Sequence, residues 1–565
     1  MDDADSSHAE VAREMSLTHD YVTLKINGVR YLEKAPLMYW MVSVCYSLFG
    51  ATTFVTRIPT LFAMLGLTLL AGRWGCRAFG ERAGAYAALF TVTTAGYFLF
   101  TRILIPEALL SLFIAGSFYC FLTALDTGRA WRWYGGYVCL ALAVLTKGLL
   151  ALVVVGFAML LYLAVSGDWR RWREFRLASG LLLFFVVAAP WHLLAGYRNR
   201  GFFWFYFVNE HFMRFLGKRI PHDYNKQASP LYWGLHLIWL FPWIFYLPVV
   251  LRRPVSEWLA RRRQTPAEIK PVARDFRWRT NAVCLIWASV TLIFFSFSTN
   301  QEYYTFPAYL PILLLIASQL ASEEEGGARC WLSWNSGVIA LVCAAFAAVL
   351  AWGLWASRQL PFMPDIGSVL AKPDLEADTL SMGHMLDLTW QTFAALRLPA
   401  VLAAVALGLG PVLAFWMRRR RAQQAATWLM AATMALFLLA AHIAMERFDT
   451  YLGSHNMTQQ LARVIQPRDR LMIYGDDAYG SSLLFYLRRP IELVNGNTTG
   501  MWWGSTYPDA PHIFLDDAGL VKVWNSETRV FLFVPQHERA RVKLLLHPTC
   551  IFMESSGKII YCNRL

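Results

Sequence analysis

Charge is what this sequence has least of. Only 16% of its 565 residues are Asp, Glu, Lys or Arg, against about 25% in a soluble globular chain. The shortfall, roughly fifty surface charges at that average, excludes a soluble multidomain enzyme, although the length would accommodate roughly three or four domains of ordinary size. Internal repeats and low-complexity segments are missing as well. No signal peptide is expected ahead of the apolar stretches, because the chain opens at once on the polar segment MDDADSSHAEVAREM. Cysteines in polar surroundings are scarce too. Most of the nine lie inside apolar runs (Cys45, Cys120, Cys139, Cys284, Cys343), where a free thiol behaves as a small hydrophobe. Only Cys550 and Cys562 share a polar region, a pair that an oxidising compartment would allow to bond.

In place of charge the chain is 57% hydrophobic and 15% aromatic, with 24 Trp, a composition that suits rings anchored at membrane interfaces. Apolar stretches near the length of a bilayer, about 20 residues, fall at 54–72, 83–102, 107–126, 131–146, 148–166, 177–197, 230–251, 281–298, 303–321, 331–356, 396–417 and 425–445. They predict a polytopic α-helical membrane protein with about twelve spans. With residues 1–53 facing outward, the inner loops are 73–82, 127–132, 167–176, 252–280, 322–330 and 418–424. These six loops hold 23 Lys/Arg and 9 Asp/Glu, which is the whole of the net charge of +14. A basic excess that could suggest nucleic acid is therefore a topology signal, cytoplasmic by the positive-inside rule. The outward loop 198–229 is still basic, with six Lys/Arg against Glu210 and Asp223, and reads as a surface for anionic lipid.

Three parts follow. Residues 1–53 are an outward juxtamembrane segment, in which 35–49 is apolar but too short for a full span and reads as an interfacial helix. Residues 54–446 carry the spans. Residues 447–565 alternate short β-rich runs (LMIYG 471–475, IELV 491–494, VFLFV 530–534, CIFM 550–553, KIIYC 558–562) with helical patterns such as MTQQLARVI and SSLLFYLRR, the pattern of a small extracytoplasmic α/β domain. An outward N-terminal segment is hard to translocate without a preceding span, so a further helix, making thirteen, is expected ahead of Met1.

Charge at a membrane edge is costly and calls for a reason. The outward face collects Asp2, Asp3 and Asp5, ahead of an amphipathic pattern (Ala9, Val11, Ala12, Met15). It also collects Glu33 and Lys34, Glu107 after Pro106, Lys147 between two apolar runs, the loop with Glu210, His211, Arg214, Lys218 and Arg219, and Glu302-Tyr303-Tyr304. Cations there can hold a lipid phosphate, while a carboxylate can take a proton from an acceptor as the phosphate leaves. Plainer readings stand beside these. Glu107 suits the first turn of a helix after Pro106, Lys147 can snorkel, the three Asp can be a solvated terminus, and His211 can be an ordinary loop residue.

The same residues resemble a known family. AEVAREM followed by DYVTLKINGVRYLEKAPLMYW is similar to the first outer loop of bacterial polyprenyl-phosphate-sugar glycosyltransferases. That is the GT-C superfamily, which includes the aminoarabinose lipid A transferases and the protein O-mannosyltransferases. RILIPEALLSLF, LTKGLLALVV, NEHFMRFLG and EYYTFPAYLPILLLIA follow in family order, so the likeness spans residues 2–317. It implies a helical bundle with juxtamembrane helices carrying the site and an extracytoplasmic C-terminal domain. It implies a catalytic base in the acidic cluster: Asp3, with Asp2 or Asp5 as alternatives. Glu107 stands where relatives carry Asp after Pro and joins the catalytic set. The donor phosphate would be held by Lys34 and Lys147, with Arg214 and Lys218 from the basic loop. No cofactor is required, and Glu33 with His211 could hold an optional divalent metal. The resemblance also places a first transmembrane helix just before the acidic cluster.

The expected function is an inner-membrane glycosyltransferase with its site facing the periplasm. It would move a sugar from a polyprenyl-phosphate donor to lipid A, another glycolipid or a protein, by inverting displacement. Two rival functions fit the sequence less well. A flippase for a lipid-linked sugar tends to show internal repeats and midplane charge, whereas here repeats are missing and the charges cluster at one face. A non-enzymatic scaffold does not account for five motifs in order.

Overall fold

The computed structural model describes residues 3–222, 227–248, 250, 275–298, 301–326, 329–362, 390–452, 454–498, 500–546, 550–555 and 558–564. Asp2, the ARRRQ run at 260–264 and much of the loop 357–395 lie outside them. The apolar runs form helices, because a chain crossing hydrocarbon must satisfy its own backbone donors and acceptors. Among the described residues eight helices are long and apolar enough to cross a membrane: Thr53–Phe79, Glu107–Thr127, Leu177–Arg198, Phe276–Phe297, Glu302–Gly326, Trp331–Ala356, Arg397–Arg419 and Gln423–Arg447. Glu107–Thr127 and Glu302–Gly326 are the most enclosed of them.

In chain order the first half comprises helix α1 (Asp3–Thr18), the two-residue strands β1 (Lys25–Ile26) and β2 (Val29–Arg30), and helices α2 (Leu37–Phe49), α3 (Thr53–Thr56), α4 (Ile58–Phe79), α5 (Glu81–Thr93), α6 (Ala95–Phe100), α7 (Glu107–Thr127), α8 (Ala130–Lys147), α9 (Leu150–Ser166), α10 (Leu177–Arg198) and α11 (Ser229–Trp239). Two of the twelve anticipated spans are broken. The stretch 83–102 divides at Thr94, whose backbone is extended (φ −83°, ψ 129°), leaving α5 and α6. The stretch 230–251 stops at Leu240, and Pro242, which has no N–H to continue the helix, starts a separate short turn at Trp243–Tyr246. The stretches 131–146 and 148–166 fold as α8 and α9, of 18 and 17 residues, separated at Gly148. The apolar run 35–49 is the 13-residue helix α2.

Two hydrophobic cores organise the chain. The first lies among the long helices, around Leu67, Phe90, Phe118, Trp243, Trp287 and Leu313. The second joins the beginning of the chain to its end. Ala9, Ala12 and Met15 of α1, Ile26 and Val29 of the hairpin and Tyr39 and Val42 of α2 pack with Leu461, Leu483, Ile473, Phe531 and Ile560. The amphipathic pattern of α1 thus finds its apolar partner in the C-terminal region.

That region holds β3 (Arg470–Tyr474), β4 (Glu492–Val494), β5 (Phe514–Leu515), β6 (Val530–Pro535), β7 (Cys550–Ser555) and β8 (Lys558–Cys562), in the order β5-β4-β3-β6-β8-β7. The strands β5, β4, β3 and β6 run parallel, while β8 pairs antiparallel with β6 and with β7. Five of the six strands coincide with the β-rich runs of the sequence; β5, only two residues long, has too little alternation to be seen there. A disulfide joins Cys550 to Cys562, which face each other across β7 and β8 with Cα atoms 5.3 Å apart, within the usual span of such a bond.

Candidate active site

A cavity of about 450 Å³ lies where α1, the loop before α2, α7, the α8–α9 junction, helix Phe276–Phe297 and a π-helix at Trp204–Met213 meet. One part of its wall is polar and charged: His8, Glu33, Lys34, Tyr39, Glu107, Lys147, Glu210, His211, Arg214 and Tyr304. Another part is apolar, with Leu150, Val153, Phe212, Phe215 and Phe294. Of these, Val153, Phe212 and Phe215 are exposed. A phosphate and a hydrocarbon chain could therefore be received together.

Local folding explains how the charges meet. The β1–β2 hairpin turns at Asn27-Gly28, both with positive φ, a favoured hairpin dipeptide. It delivers Tyr31, Glu33 and Lys34 just before Pro36 caps α2. The Glu33 carboxylate accepts from the Tyr31 hydroxyl (2.9 Å) and from Arg219 Nη2 (2.7 Å), and pairs with Lys34 Nζ at 2.9 Å. Burial alone would raise this carboxyl, but Lys34, Arg219 and Arg214 overrule it and hold Glu33 well below the usual carboxylate range. Burial also works against the charge on Lys34, and Glu33 more than offsets it, so the ammonium stays protonated. Arg219 reaches further, donating through Nε to both Glu210 oxygens (2.8 and 3.0 Å), while Arg214 lies 3.4 Å from the same carboxylate. The π-helix, with its wider turn, carries Glu210 and His211 on consecutive residues of the same wall.

Glu107 opens α7 after Pro106 and is fully buried. One of its oxygens is paired with Lys147, and the other has no hydrogen-bond partner among the described residues. Lys147 also lies over the Tyr304 ring at 4.4 Å, a cation–π contact. Lys147 reaches the cavity because α8 ends there at Gly148, which has φ +69° and where an added Cβ would stand 2.3 Å from His211 Nε2. Only glycine meets both demands.

The predicted residues divide as follows. Lys34, Lys147, Arg214, Glu107, Glu33 and His211 all line the cavity. Lys218 does not; it is exposed, and its neighbour Arg219 turns inward instead. Asp3 begins α1, and Asp2 lies outside the described residues. Asp5 is buried off the cavity, accepting from Arg57 (2.7 Å) and from the Leu104 N–H (2.6 Å). Glu33 and His211 do not fit a divalent cation. His211 donates from Nδ1 to the Tyr206 carbonyl (2.6 Å) and accepts at Nε2 from the Leu149 N–H (3.1 Å), so neither nitrogen has a lone pair to offer. Burial pushes this ring's pKa down to about 4. Glu33 is occupied by cations, and no group of three or more His, Cys, Asp or Glu is assembled among the described residues.

Composition and spacing place Arg219 and Glu210 in the basic loop without singling them out, and do not name His8 at all. The first two stood in the basic loop with nothing to separate buried from exposed charges. His8 had a signal: it falls on the stripe Asp5, His8, Ala12, Met15 of α1, a polar residue on a buried face.

The sequence model of the dolichyl-phosphate-mannose-protein mannosyltransferase family matches residues 33–193. The chain is 25% identical over 525 residues to an undecaprenyl phosphate-alpha-4-amino-4-deoxy-L-arabinose arabinosyl transferase of Shewanella sediminis, covering 90% of this chain and 84% of the relative. It is 29% identical over 364 residues to the protein of that name from Aeromonas salmonicida, covering 61% of each. In fold it is similar to ArnT from Cupriavidus metallidurans bound to undecaprenyl phosphate, with a TM-score of 0.76 and 22% identity, covering 99% of this chain and 93% of that one.

Proposed function

We propose that this chain, a membrane glycosyltransferase of the GT-C superfamily, draws a polyprenyl-phosphate-linked sugar into the cavity from the lipid and transfers the sugar to an acceptor at the outer membrane face. The observation that carries the reading is the joining of three cations, Lys34, Lys147 and Arg214, to an apolar wall within one cavity. The donor is an undecaprenyl-phosphate sugar of the class named for the relatives, and the acceptor is lipid A, another glycolipid or a protein. The protein resides in the inner membrane, with residues 1–53 and 447–565 on the periplasmic side and the spans within 54–446.

Lys34 is paired with Glu33, and Lys147 with Glu107. A donor phosphate competes for these ammonium groups and for Arg214, and the field of three cations stabilises the negative charge that builds on the phosphate as the bond to the anomeric carbon breaks. Asp3 is the carboxylate assigned to take the acceptor's proton. The acceptor oxygen attacks from the face opposite the leaving phosphate, so the anomeric configuration inverts. Glu107, released from part of its pairing with Lys147, is placed to accept a hydrogen bond from a sugar hydroxyl or amine.

Purified protein in detergent, given labelled undecaprenyl-phosphate sugars and lipid A, tests the reading. Lys34→Ala and Lys147→Ala should each lower kcat by about 10²–10³, the usual cost of removing one stabilising donor, with the fold unchanged by circular dichroism. Full transfer by both variants would sink the assignment, and movement of donor across liposomes without transfer would favour a flippase.

A further inference from the structure

His8, one and a half turns into α1, lines the cavity beside Glu33, Lys34 and Tyr39. Its Nδ1 lies 2.8 Å from the Tyr39 hydroxyl. Tyr39 is 2% exposed, and His8 is the one partner its hydroxyl has among the described residues. A buried phenol that kept its proton to itself would leave a donor unsatisfied. The O–H of Tyr39 therefore donates to Nδ1, which fixes the proton of the neutral ring on Nε2. Burial and the neighbouring Lys34 hold the ring neutral, with a pKa lowered to about 4. Nε2 has no hydrogen-bond partner among the described residues, and the ring borders the cavity. The Tyr31 ring closes its other side, 6.4 Å away edge to face.

We infer that His8, oriented by Tyr39, presents a fixed N–H into the cavity that donates a hydrogen bond to a phosphate oxygen of the lipid donor, beside the Lys34 ammonium. The inference rests on the reading of the cavity as a lipid-phosphate site and adds a residue to it. A neutral donor suits this position. Burying a further cation against Lys34 and Arg214 would cost repulsion whenever the phosphate is away, whereas an N–H adds directional binding without charge. It also assigns a role to Tyr39, a positioning residue that acts only through the ring.

The probe is undecaprenyl phosphate, without sugar, titrated into the full-length protein in detergent and followed by thermal shift. His8→Phe keeps the ring volume but loses the N–H and should raise Kd at least tenfold. His8→Gln keeps an N–H donor of similar reach but cannot take up a proton, and should stay within threefold of the wild type. Where His8→Phe does not fold, His8→Leu replaces it, since an uncharged aliphatic side chain neither donates nor accepts, and it should bind at least tenfold more weakly than His8→Gln. Wild-type affinity in His8→Phe, or equal weakness in the Gln and Phe (or Leu) variants, would overturn the assignment. Lys34→Ala separates the two levels. If it binds undecaprenyl phosphate as tightly as the wild type, the phosphate reading of the cavity falls; if it binds weakly while His8→Phe binds normally, only the role of His8 falls.

Discussion

Glu10 sits on the buried side of α1, 1% exposed, where Arg13 reaches back to donate to both of its oxygens at 2.6 and 2.5 Å. Burial nevertheless pushes its carboxyl up to about 7 from an ordinary 4.5, with Arg13 offsetting only part of that shift. A group whose folded pKa is raised binds its proton more tightly in the folded state. Its contribution is fully present below about 4.5 and is lost as pH rises to about 7, beyond which stability levels off. The thermal midpoint in detergent should therefore fall between pH 4.5 and 7, and Glu10→Gln should flatten that slope; an unchanged slope in the variant would refute the linkage. Glu33, with its pKa held low, contributes in the opposite sense, and its bonds to Lys34 and Arg219 should persist well below neutral pH. Asp5 shows how two carboxylates of one cluster can separate in role. Its oxygens tie α1 to Arg57 and to the backbone ahead of α7, a tie invisible to spacing because the partners are 52 and 99 residues away. For the same reason sequence reasoning chose Lys218 where the fold uses Arg219. Both adjacent cations can meet an anion, and the direction of the chain after the π-helix buries Arg219 and leaves Lys218 exposed.

At the scale of elements, the junction between α8 and α9 was legible as a motif, TKG, but not as a device. Gly148 lets α8 end with Lys147 facing the cavity while the Leu149 N–H reaches His211. Gly148→Ala should lower kcat/KM at least tenfold, because the new methyl group must displace His211 and the Tyr206 hydroxyl and also adopt a positive φ. Steady-state kinetics with the thermal midpoint measured in parallel will check this, and unaltered kinetics would mean that the junction tolerates the shift. The long spans followed from hydropathy alone, as did the short α2. The breaks at Thr94 and Pro242 did not. Hydropathy counts apolar side chains and is blind to where the backbone turns extended.

On the scale of the whole molecule, the first 50 residues and the last hundred share one hydrophobic core. Contacts around the hairpin reinforce it. Trp503 stacks on Phe205 of the π-helix at 5.1 Å, Arg30 pairs with Asp509 at 2.8 Å and lies over the Tyr507 ring, and the Tyr507 hydroxyl donates to the Arg200 carbonyl. The C-terminal domain therefore braces the elements that carry Glu33, Glu210 and Arg219. Trp503→Ala should cost about 1–3 kcal/mol of stability from lost burial and stacking and reduce transfer more than its stability loss alone predicts. Activity assayed well below the midpoint measures that excess, and wild-type activity there would show the brace to be dispensable. The membrane-embedded helical class and the α/β character of the end of the chain are legible in the sequence alone. Each of these is a local or summed property, fixed by hydropathy, alternation and charge. Which charges share the cavity, the commitment of Glu33 and His211 to protein partners, and the packing of the C-terminal domain against the N-terminal segment that carries Glu33 come only from the folded chain. Those outcomes depend on contacts across hundreds of residues, and contact geometry is not written in composition or period.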